Sequence, residues 1–310
     1  EERSDRRRTD AGYLLTGLVR CGYCGAGMRY QRWGKNGYKL VCYSRDKSKP
    51  HMVKDPDCKN EGIWANELEK SGVIVIQGIV NLKVHAKILM IIRKEEAGLT
   101  RYVHLSTGNY NPKTAKLYSD FSLFTTNQLI ANDATMFFNV VTGYSALQPM
   151  KALSIAPVNL KTNILQMIQR EIQLSTIQNP GLIIAKMNSL THEEVISALY
   201  DASRKGVKIL LNIRGICMLV PGVKGMSENI KVVSIVDRYL EHERIFYFNK
   251  GGQPEMYLAS ADWMNRNLDR RIELMFPIYD SEIFSEIKST LDIYFSSNFV
   301  LNSIPYNFYG

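Results

Sequence analysis

Four of the five cysteines lie within the first 58 of the 310 residues, and this clustering divides the chain into two parts. They are Cys21, Cys24, Cys42 and Cys58, whereas Cys217 stands apart. The charge divides at the same place, because residues 1–60 carry 14 Lys and Arg against 7 Asp and Glu, and residues 61–310 carry 25 against 23. We therefore expect a small basic domain over residues 1–60 and a nearly neutral domain over residues 61–310.

The spacing of the first two cysteines is typical of a metal site. Cys21 and Cys24 flank a glycine turn, which lets two thiolates point at one ion, and Cys42 and Cys58 are the candidates that complete the tetrahedron. Four thiolates suit a structural Zn²⁺ site, and a segment this small needs metal for much of its folding energy. Two disulfides and four free thiols are the alternatives. Disulfides are disfavoured because nothing in the charged N-terminal residues indicates export.

The cysteine segment also has the pattern of a β-hairpin. Met28–Trp33 and Tyr38–Tyr43 alternate in polarity on either side of a glycine-containing turn. Three stretches resemble the zinc β-ribbon of large serine recombinases. They are 13–28 (YLLTGLVRCGYCGAGM), 38–43 (YKLVCY) and 58–60 (CKN). In that family the ribbon contacts DNA. The resemblance therefore implies DNA binding through residues 1–60, which agrees with their positive charge.

From about residue 61 the pattern changes to strands that alternate with helices, which predicts an α/β or mixed α/β fold. A short amphipathic helix is expected over Ile63–Ser71. The predicted strands are Val73–Val80, Ile88–Arg93, Leu182–Met187, Val207–Ile213, Lys231–Val236, Arg244–Phe248, Glu255–Ala259 and Ile272–Ile278, and the predicted helices are Leu160–Leu174, His192–Lys205 and Ser281–Phe295. No apolar run reaches the roughly 18 residues of a membrane-spanning helix, so we expect no transmembrane segment and a cytoplasmic location.

Two stretches of the second part share one motif. His85 is followed two residues later by Lys87, and His242 by Arg244; an Asn or Asp follows each histidine, at Asn109 and at position 262. If these triplets lie in strands, each histidine and its cation share a face. A neutral imidazole can then attack phosphorus while the cation neutralises the phosphoryl oxygens. The competing interpretation is that each histidine is simply a hydrogen-bonded core residue.

Longer motifs narrow this interpretation to a family. Five stretches resemble the C-terminal catalytic half of the ATP-dependent polyphosphate kinases. They are 83–89 (KVHAKIL), 101–120 (RYVHLSTGNYNPKTAKLYSD), 214–217 (RGIC), 234–244 (SIVDRYLEHER) and 260–264 (SADWM). These enzymes belong to the phospholipase-D-like superfamily. The resemblance covers residues 61–310 and implies an α/β fold, with a phospholipase-D-like mixed sheet and flanking helices.

The resemblance also implies roles for individual residues. His85 matches the histidine that takes the γ-phosphate of ATP and passes it to polyphosphate, and His242 matches the second essential histidine, a proton donor or acceptor. Tyr118 and Arg214 match nucleotide-binding positions. Three more residues are expected to hold phosphate on chemical grounds: Lys87, Asn109 and Arg244. The resemblance further implies ATP and ADP as substrates, Mg²⁺ with ligands that the sequence does not identify, and a homo-oligomer.

The chain departs from the family pattern before residue 61. The family has an earlier part of the catalytic half, including an arginine pair at a magnesium site, and residues 1–60 bear no likeness to it. Impaired turnover is therefore one expectation. The main alternative is a DNA-binding zinc-ribbon module of a serine recombinase that carries an inactive kinase remnant. Another is a phospholipase or nuclease of the same superfamily.

Overall fold

A computed structural model describes residues 21, 23–26, 28–32, 38–45, 50–64, 82–143, 150–236 and 238–296. The chain divides into two compact units, Glu1–Gly78 and Ile79–Gly310. In the part of the chain covered by these ranges, no helix is both long and apolar enough to cross a membrane.

The first unit contains a small antiparallel sheet. Its strands are β1 (Met28–Arg32), β2 (Tyr38–Cys42) and β3 (Ile63–Trp64), and Met28 pairs with Cys42 in the hairpin. The structure confirms the predicted hairpin. The prediction of a helix over Ile63–Ser71 is wrong at its start, because the first two residues extend the sheet; residues 65–71 lie outside the described ranges. The predicted strand Val73–Val80 also lies outside them.

The second unit is built on a mixed sheet. Its strands lie in the order β12 (Ile230–Val233), β11 (Lys208–Ile213), β10 (Leu182–Met187), β14 (Ile245–Phe248), β15 (Glu255–Ala259), β16 (Arg271–Pro277) and β4 (Lys83–Val84), and β9 (Ser154–Ala156) pairs with β16. The first three strands are parallel, and the next three joins are antiparallel. The central strands are mostly apolar because both of their faces are buried, and Lys186 on β10 and Glu273 on β16 are buried charged exceptions.

Helices cover both faces of this sheet. They are α1 (Gln128–Val141), α2 (Leu160–Leu174), α3 (Glu193–Arg204), α4 (Asn265–Leu268) and α5 (Ser281–Phe295). One apolar core includes side chains of α2 and α3, and the other includes side chains of α1 and α5. Successive residues of one strand alternate between them, since Ile183 belongs to the first core and Ile184 to the second. A mixed sheet with flanking helices is the fold class predicted from the sequence.

Two smaller sheets complete the unit. The antiparallel strands β5 (Ile88–Glu95), β6 (Gly98–Ser106) and β8 (Ser122–Thr125) form a meander. Two very short parallel strands, β7 (Tyr118–Ser119) and β13 (Leu240–Glu241), join segments that are far apart in the sequence.

The two histidine triplets lie just outside the strands, which corrects the expectation that they lie within them. His85–Lys87 links β4 to β5, and His242–Arg244 links β13 to β14. The extended links nevertheless keep each histidine beside its cation. Lys87 Nζ is 2.9 Å from His85 Nε2, and Arg244 Nη1 is 3.0 Å from His242 Nε2.

Candidate functional site

A buried carboxylate holds the first histidine. Glu273 Oε2 lies 2.8 Å from His85 Nδ1, and the Glu273 side chain is completely buried on β16. Ser260 donates to the same carboxylate, and Asn267 Nδ2 donates to its other oxygen at 2.6 Å. A carboxylate at Nδ1 favours the tautomer that carries its proton there, which leaves the Nε2 lone pair available as a nucleophile.

Lys87 faces Nε2 of His85 from a buried position. Burial lowers the pKa of Lys87 to about 7, the charge of Glu273 opposes this change, and the positive charge of Arg244 adds to it. Near neutral pH the amine can therefore exist with or without its proton. A phosphoryl group that approached His85 would bring negative charge and favour the protonated form.

The second histidine is held in the same way. His242 Nδ1 lies 2.9 Å from Asp120 Oδ1, and Thr107 Oγ1 donates to that oxygen at 2.7 Å. Burial lowers the pKa of His242 below its ordinary value, the hydrogen bond to Asp120 opposes the shift, and the charge of Arg244 adds to it. His242 is therefore predominantly neutral at pH 7.

Arg244 is fixed by an ion pair beneath the second histidine. Its Nη2 lies 3.2 Å from Asp262 Oδ2, and both side chains are almost fully buried. Asp262 also accepts a hydrogen bond from the Asn188 backbone N–H at 2.8 Å. Burial alone would raise the pKa of Asp262, but the Arg244 guanidinium and the hydrogen bonds from Asn188 together outweigh it, and the pKa lies below its ordinary value. The cation therefore holds a single orientation next to His242.

The two motifs form one site because each supplies a hydroxyl group to the other. Ser260 of the second motif contacts the carboxylate that holds His85, whereas Thr107 of the first motif contacts the carboxylate that holds His242. Arg244 Nη1 also donates to the Thr107 carbonyl at 3.4 Å. The charge of Lys87, in turn, affects the pKa of His242. Two imidazoles and two cations therefore share one electrostatic environment.

The structure brings Tyr118 and Arg214 to the second histidine, but places Asn109 differently. The Tyr118 ring lies 4.9 Å from the His242 ring. Arg214 donates through Nε to Asn188 Oδ1 at 3.1 Å, and Asn188 Nδ2 in turn donates to the His242 carbonyl at 3.4 Å. Asn109 is exposed in the loop after β6, and its carbonyl accepts a hydrogen bond from Asn111.

The sequence prediction did not single out Asp120 or Glu273. Asp120 closes the stretch quoted at 101–120, so its presence in that motif was the available signal. Glu273 is a lone carboxylate inside the apolar run of β16, Arg271–Pro277. A charged residue in a strand that is otherwise buried needs a partner, and this property points to a functional contact.

The four N-terminal cysteines converge in the first unit. Their sulfur atoms all lie within 4.8 Å of one another, and all four thiols are unbridged. Three of the separations are 3.6 Å for Cys21–Cys58, 3.5 Å for Cys24–Cys42 and 3.9 Å for Cys42–Cys58. Zn–S bonds of about 2.3 Å in a tetrahedron give edges of ~3.8 Å, so this set fits one zinc ion. The hydrogen bond from Ser44 is the main cause that lowers the pKa of Cys24 to about 6, which favours a thiolate at that position, whereas burial raises the pKa of Cys42.

Three family models match the chain. Residues 57–147 match the polyphosphate kinase C-terminal domain 1, and residues 153–305 match the polyphosphate kinase C-terminal domain 2. Residues 14–71 match the recombinase zinc beta ribbon domain. The first and third matches overlap, and the overlap includes the expected boundary near residue 60.

Curated relatives and a solved structure give the same result for the second part of the chain. The chain is 55% identical over 235 residues to a polyphosphate kinase of Rhodopirellula baltica, covering 76% of this chain and 28% of that protein. It is 49% identical over 242 residues to polyphosphate kinase 1 of Chlorobaculum tepidum, covering 78% and 35%. The chain thus spans about a third of the length of these relatives. The crystal structure of polyphosphate kinase from Porphyromonas gingivalis has a TM-score of 0.69 at 40% identity, covering 74% of this chain and 36% of that one.

Proposed function

Because the chain belongs to the polyphosphate kinase family from residue 57 to residue 305, we propose that it transfers the γ-phosphate of ATP reversibly to polyphosphate through a phosphohistidine. One observation carries this proposal: two imidazoles, each held by a carboxylate and each contacting a cation, share one buried site. A phosphoryl transfer requires mainly positioning and charge neutralisation, and this arrangement supplies both.

In the first step, His85 Nε2 attacks the γ-phosphorus of ATP. A P–N bond forms, the bond to the β,γ-bridging oxygen breaks, and ADP leaves with that electron pair. Lys87 and Arg244 neutralise the phosphoryl oxygens during the transfer. In the second step, a terminal oxygen of polyphosphate attacks the same phosphorus, the P–N bond breaks, and the chain grows by one phosphate. His242 exchanges a proton with the attacking or leaving oxygen.

Three residues are proposed to bind the nucleotide and its phosphates. Tyr118 offers a ring that can stack on adenine, Arg214 offers a guanidinium that can grip phosphate, and Asn109 offers an exposed amide. Since Arg214 already contacts Asn188 and the Glu241 carbonyl, its remaining N–H groups are the ones that would meet phosphate.

Mg²⁺ is proposed to enter with the ATP phosphates. The carboxylates next to the histidines do not fit as a separate magnesium site, because Glu273, Asp120 and Asp262 are already engaged by N–H and O–H donors. Mg²⁺ commonly keeps several water ligands and binds through substrate phosphates. We therefore assign no magnesium ligand among the residues that the structure describes.

The proposal is tested by incubating the chain with ATP labelled at the γ-phosphate. We expect label on the protein that is acid-labile, label in polyphosphate, and loss of both in His85→Ala. The matched control is His104→Ala, because His104, on β6 of the meander, instead contacts Tyr110 and Phe124. Equal labelling of wild type and His85→Ala would show that His85 is not the phosphate acceptor.

For the first unit we propose a structural zinc ion held by Cys21, Cys24, Cys42 and Cys58. The support is the geometry of the four sulfur atoms together with the match to the recombinase zinc beta ribbon domain. The buried cluster of this unit, among the described residues, is composed largely of cysteines, so apolar burial adds little to its stability. Zinc would supply folding energy there, and with four protein ligands it has no open position for catalysis.

DNA binding through residues 1–60 is the second candidate function. It is supported by the ribbon match and by the excess of basic residues, 14 against 7 acidic ones. Binding to a duplex that weakens steeply with added salt would support it. The same affinity in a chain that lacks residues 1–60 would rule it out.

The domain boundary near residue 60, homo-oligomerisation and a cytoplasmic location are further proposals. Sedimentation of the purified chain tests the oligomer.

A further inference from the structure

A buried ionic cluster lies on the side of His242 that faces away from the substrate site. The Lys186 side chain on β10 is only 2% exposed, and its Nζ lies 2.8 Å from Glu243 Oε1 and 3.2 Å from Glu241 Oε2. The Tyr294 hydroxyl on α5, with its single proton, lies within hydrogen-bonding distance of both carboxylates, 2.8 Å from Glu241 and 3.0 Å from Glu243. Ser119 Oγ donates to the other oxygen of Glu243 at 2.8 Å.

The charges of this cluster are linked to one another. Two carboxylates converge on a single ammonium, so the second negative charge depends on hydroxyl donors for its stabilisation. Burial of Glu243 would raise its pKa, but the charge and hydrogen bond of Lys186, together with the hydrogen bond from Ser119, outweigh it and the pKa lies below its ordinary value. Removing a donor from such a cluster leaves a carboxylate under-solvated, and the segment that carries this carboxylate is then free to shift.

The position of the cluster connects it with the histidine. Glu241 and Glu243 alternate along the chain with His242 and Arg244, so the two pairs project to opposite sides. Ser119 precedes Asp120, the residue that holds His242 Nδ1. The only regular pairing between these segments in the described residues is β7 with β13, which consists of two residue pairs. A two-stranded pair of this length is not stable by itself.

We propose that Lys186 and Tyr294 are positioning residues for the second histidine. By binding Glu241 and Glu243, and through them Ser119, they hold the segment that presents Asp120 to His242. Neither residue contacts the substrate site. This inference rests on the proposed phosphotransfer for its meaning, but its geometry is independent of any reaction. The competing view is that the cluster only attaches α5 to the sheet.

The test is the Tyr294→Phe variant of the full chain, followed by an NMR titration of the His242 imidazole. The charged groups that act on His242 are Asp120, which raises its pKa, and Arg244 and Lys87, which lower it. If Asp120 moves away, the pKa of His242 falls. We expect a decrease of about half a unit or more, since a hydrogen bond to a charged group contributes on the order of one unit. The initial rate of polyphosphate formation should fall with it.

The matched control is Tyr257→Phe. Tyr257 also donates its hydroxyl to a carboxylate, that of Glu255 at 3.1 Å, but on β15 and without contact with the 118–120 segment. The Tyr257→Phe variant should leave the pKa of His242 unchanged, even if it lowers the stability of the chain as much as Tyr294→Phe does. If Tyr294→Phe does not fold, Ser119→Ala is tested instead. It removes the hydrogen bond between the Glu243 carboxylate and the 118–120 segment.

If the folded variant, Tyr294→Phe or Ser119→Ala, has the same His242 pKa as the wild type, the inference is overturned. The cluster then serves only to attach α5 to the sheet. The titration needs no ATP. If the wild-type chain forms no polyphosphate, the proposed function fails, while the pKa of His242 still decides whether the cluster positions it.

Discussion

Replacement of Gly108 by alanine tests whether the two motifs are packed as closely as the site requires. Gly108 lies between Thr107 and Asn109 in the turn after β6. A methyl group built on its Cα overlaps the side chain of Asp120, whose Cβ lies only 2.7 Å away. Ordinary carbon contacts lie at about 3.5–4.0 Å, so Asp120 must move by about 1 Å.

Asp120 cannot move by that amount and keep its partners. Its carboxylate accepts the hydroxyl of Thr107 at 2.7 Å and faces His242 Nδ1 at 2.9 Å. Each hydrogen bond to a charged group contributes about 1.5–3 kcal/mol, so weakening both should cost about 2–4 kcal/mol of unfolding free energy. A displacement of about 1 Å in a catalytic group lowers a rate by ~100-fold, which is our expectation for polyphosphate formation.

Two measurements on Gly108→Ala check this reasoning: urea unfolding, and the initial rate with saturating ATP. Unfolding is informative whether or not the chain turns over. Lys113→Ala is the control, since Lys113 is exposed in the same loop. A Gly108→Ala variant that unfolds at the wild-type urea concentration and reacts at the wild-type rate would refute the argument, because Asp120 would then have room to relax.

Three further predictions concern other parts of the molecule. Glu273→Gln places a neutral amide at His85 Nδ1. The initial rate at which labelled ATP phosphorylates the protein should therefore fall roughly 100-fold. A wild-type rate would mean that the charge of Glu273 is dispensable. Folding lowers the pKa of Lys87 from 10.5 to about 7, so between these pH values the unfolded chain binds more protons than the folded chain and the free energy of unfolding rises with pH. Relative to Lys87→Met, the free energy of unfolding of the wild type should rise by up to about 1.4 kcal/mol per pH unit from pH 7 to pH 9. A difference between the two proteins that does not change with pH would contradict this. The purified chain should carry about one zinc ion, and chelation should unfold residues 21–64 without lowering the melting temperature of the second unit.

Regular local patterns made several elements predictable. The helices Leu160–Leu174 and Ser281–Phe295 and the strand Leu182–Met187 occur at the predicted residues. Their hydrophobic periodicity is a local signal, and so is the cap of α5, where Asp280 accepts hydrogen bonds from two N–H groups at the start of the helix. The helix Gln128–Val141 was missed because its second half is rich in aromatic and β-branched residues, which favour strands equally well.

The motif residues of the site were also recognisable in the sequence, because a histidine and a cation two residues apart are a local feature. The cysteine cluster was recognisable for the same reason, since its first two members lie on one turn. The partners of the histidines were not. Glu273 is separated from His85 by 188 residues, and Asp120 from His242 by 122.

The sequence by itself therefore determined which side chains are the candidates for the chemistry: two imidazoles, two cations and four thiols. Only the tertiary structure decided which carboxylate holds which imidazole, and that each motif supplies a hydroxyl group to the other. The physical reason is that these contacts depend on the order of strands in the sheet. That order follows from burial on both faces and from the backbone hydrogen bonds of the sheet, not from any periodicity within a single segment.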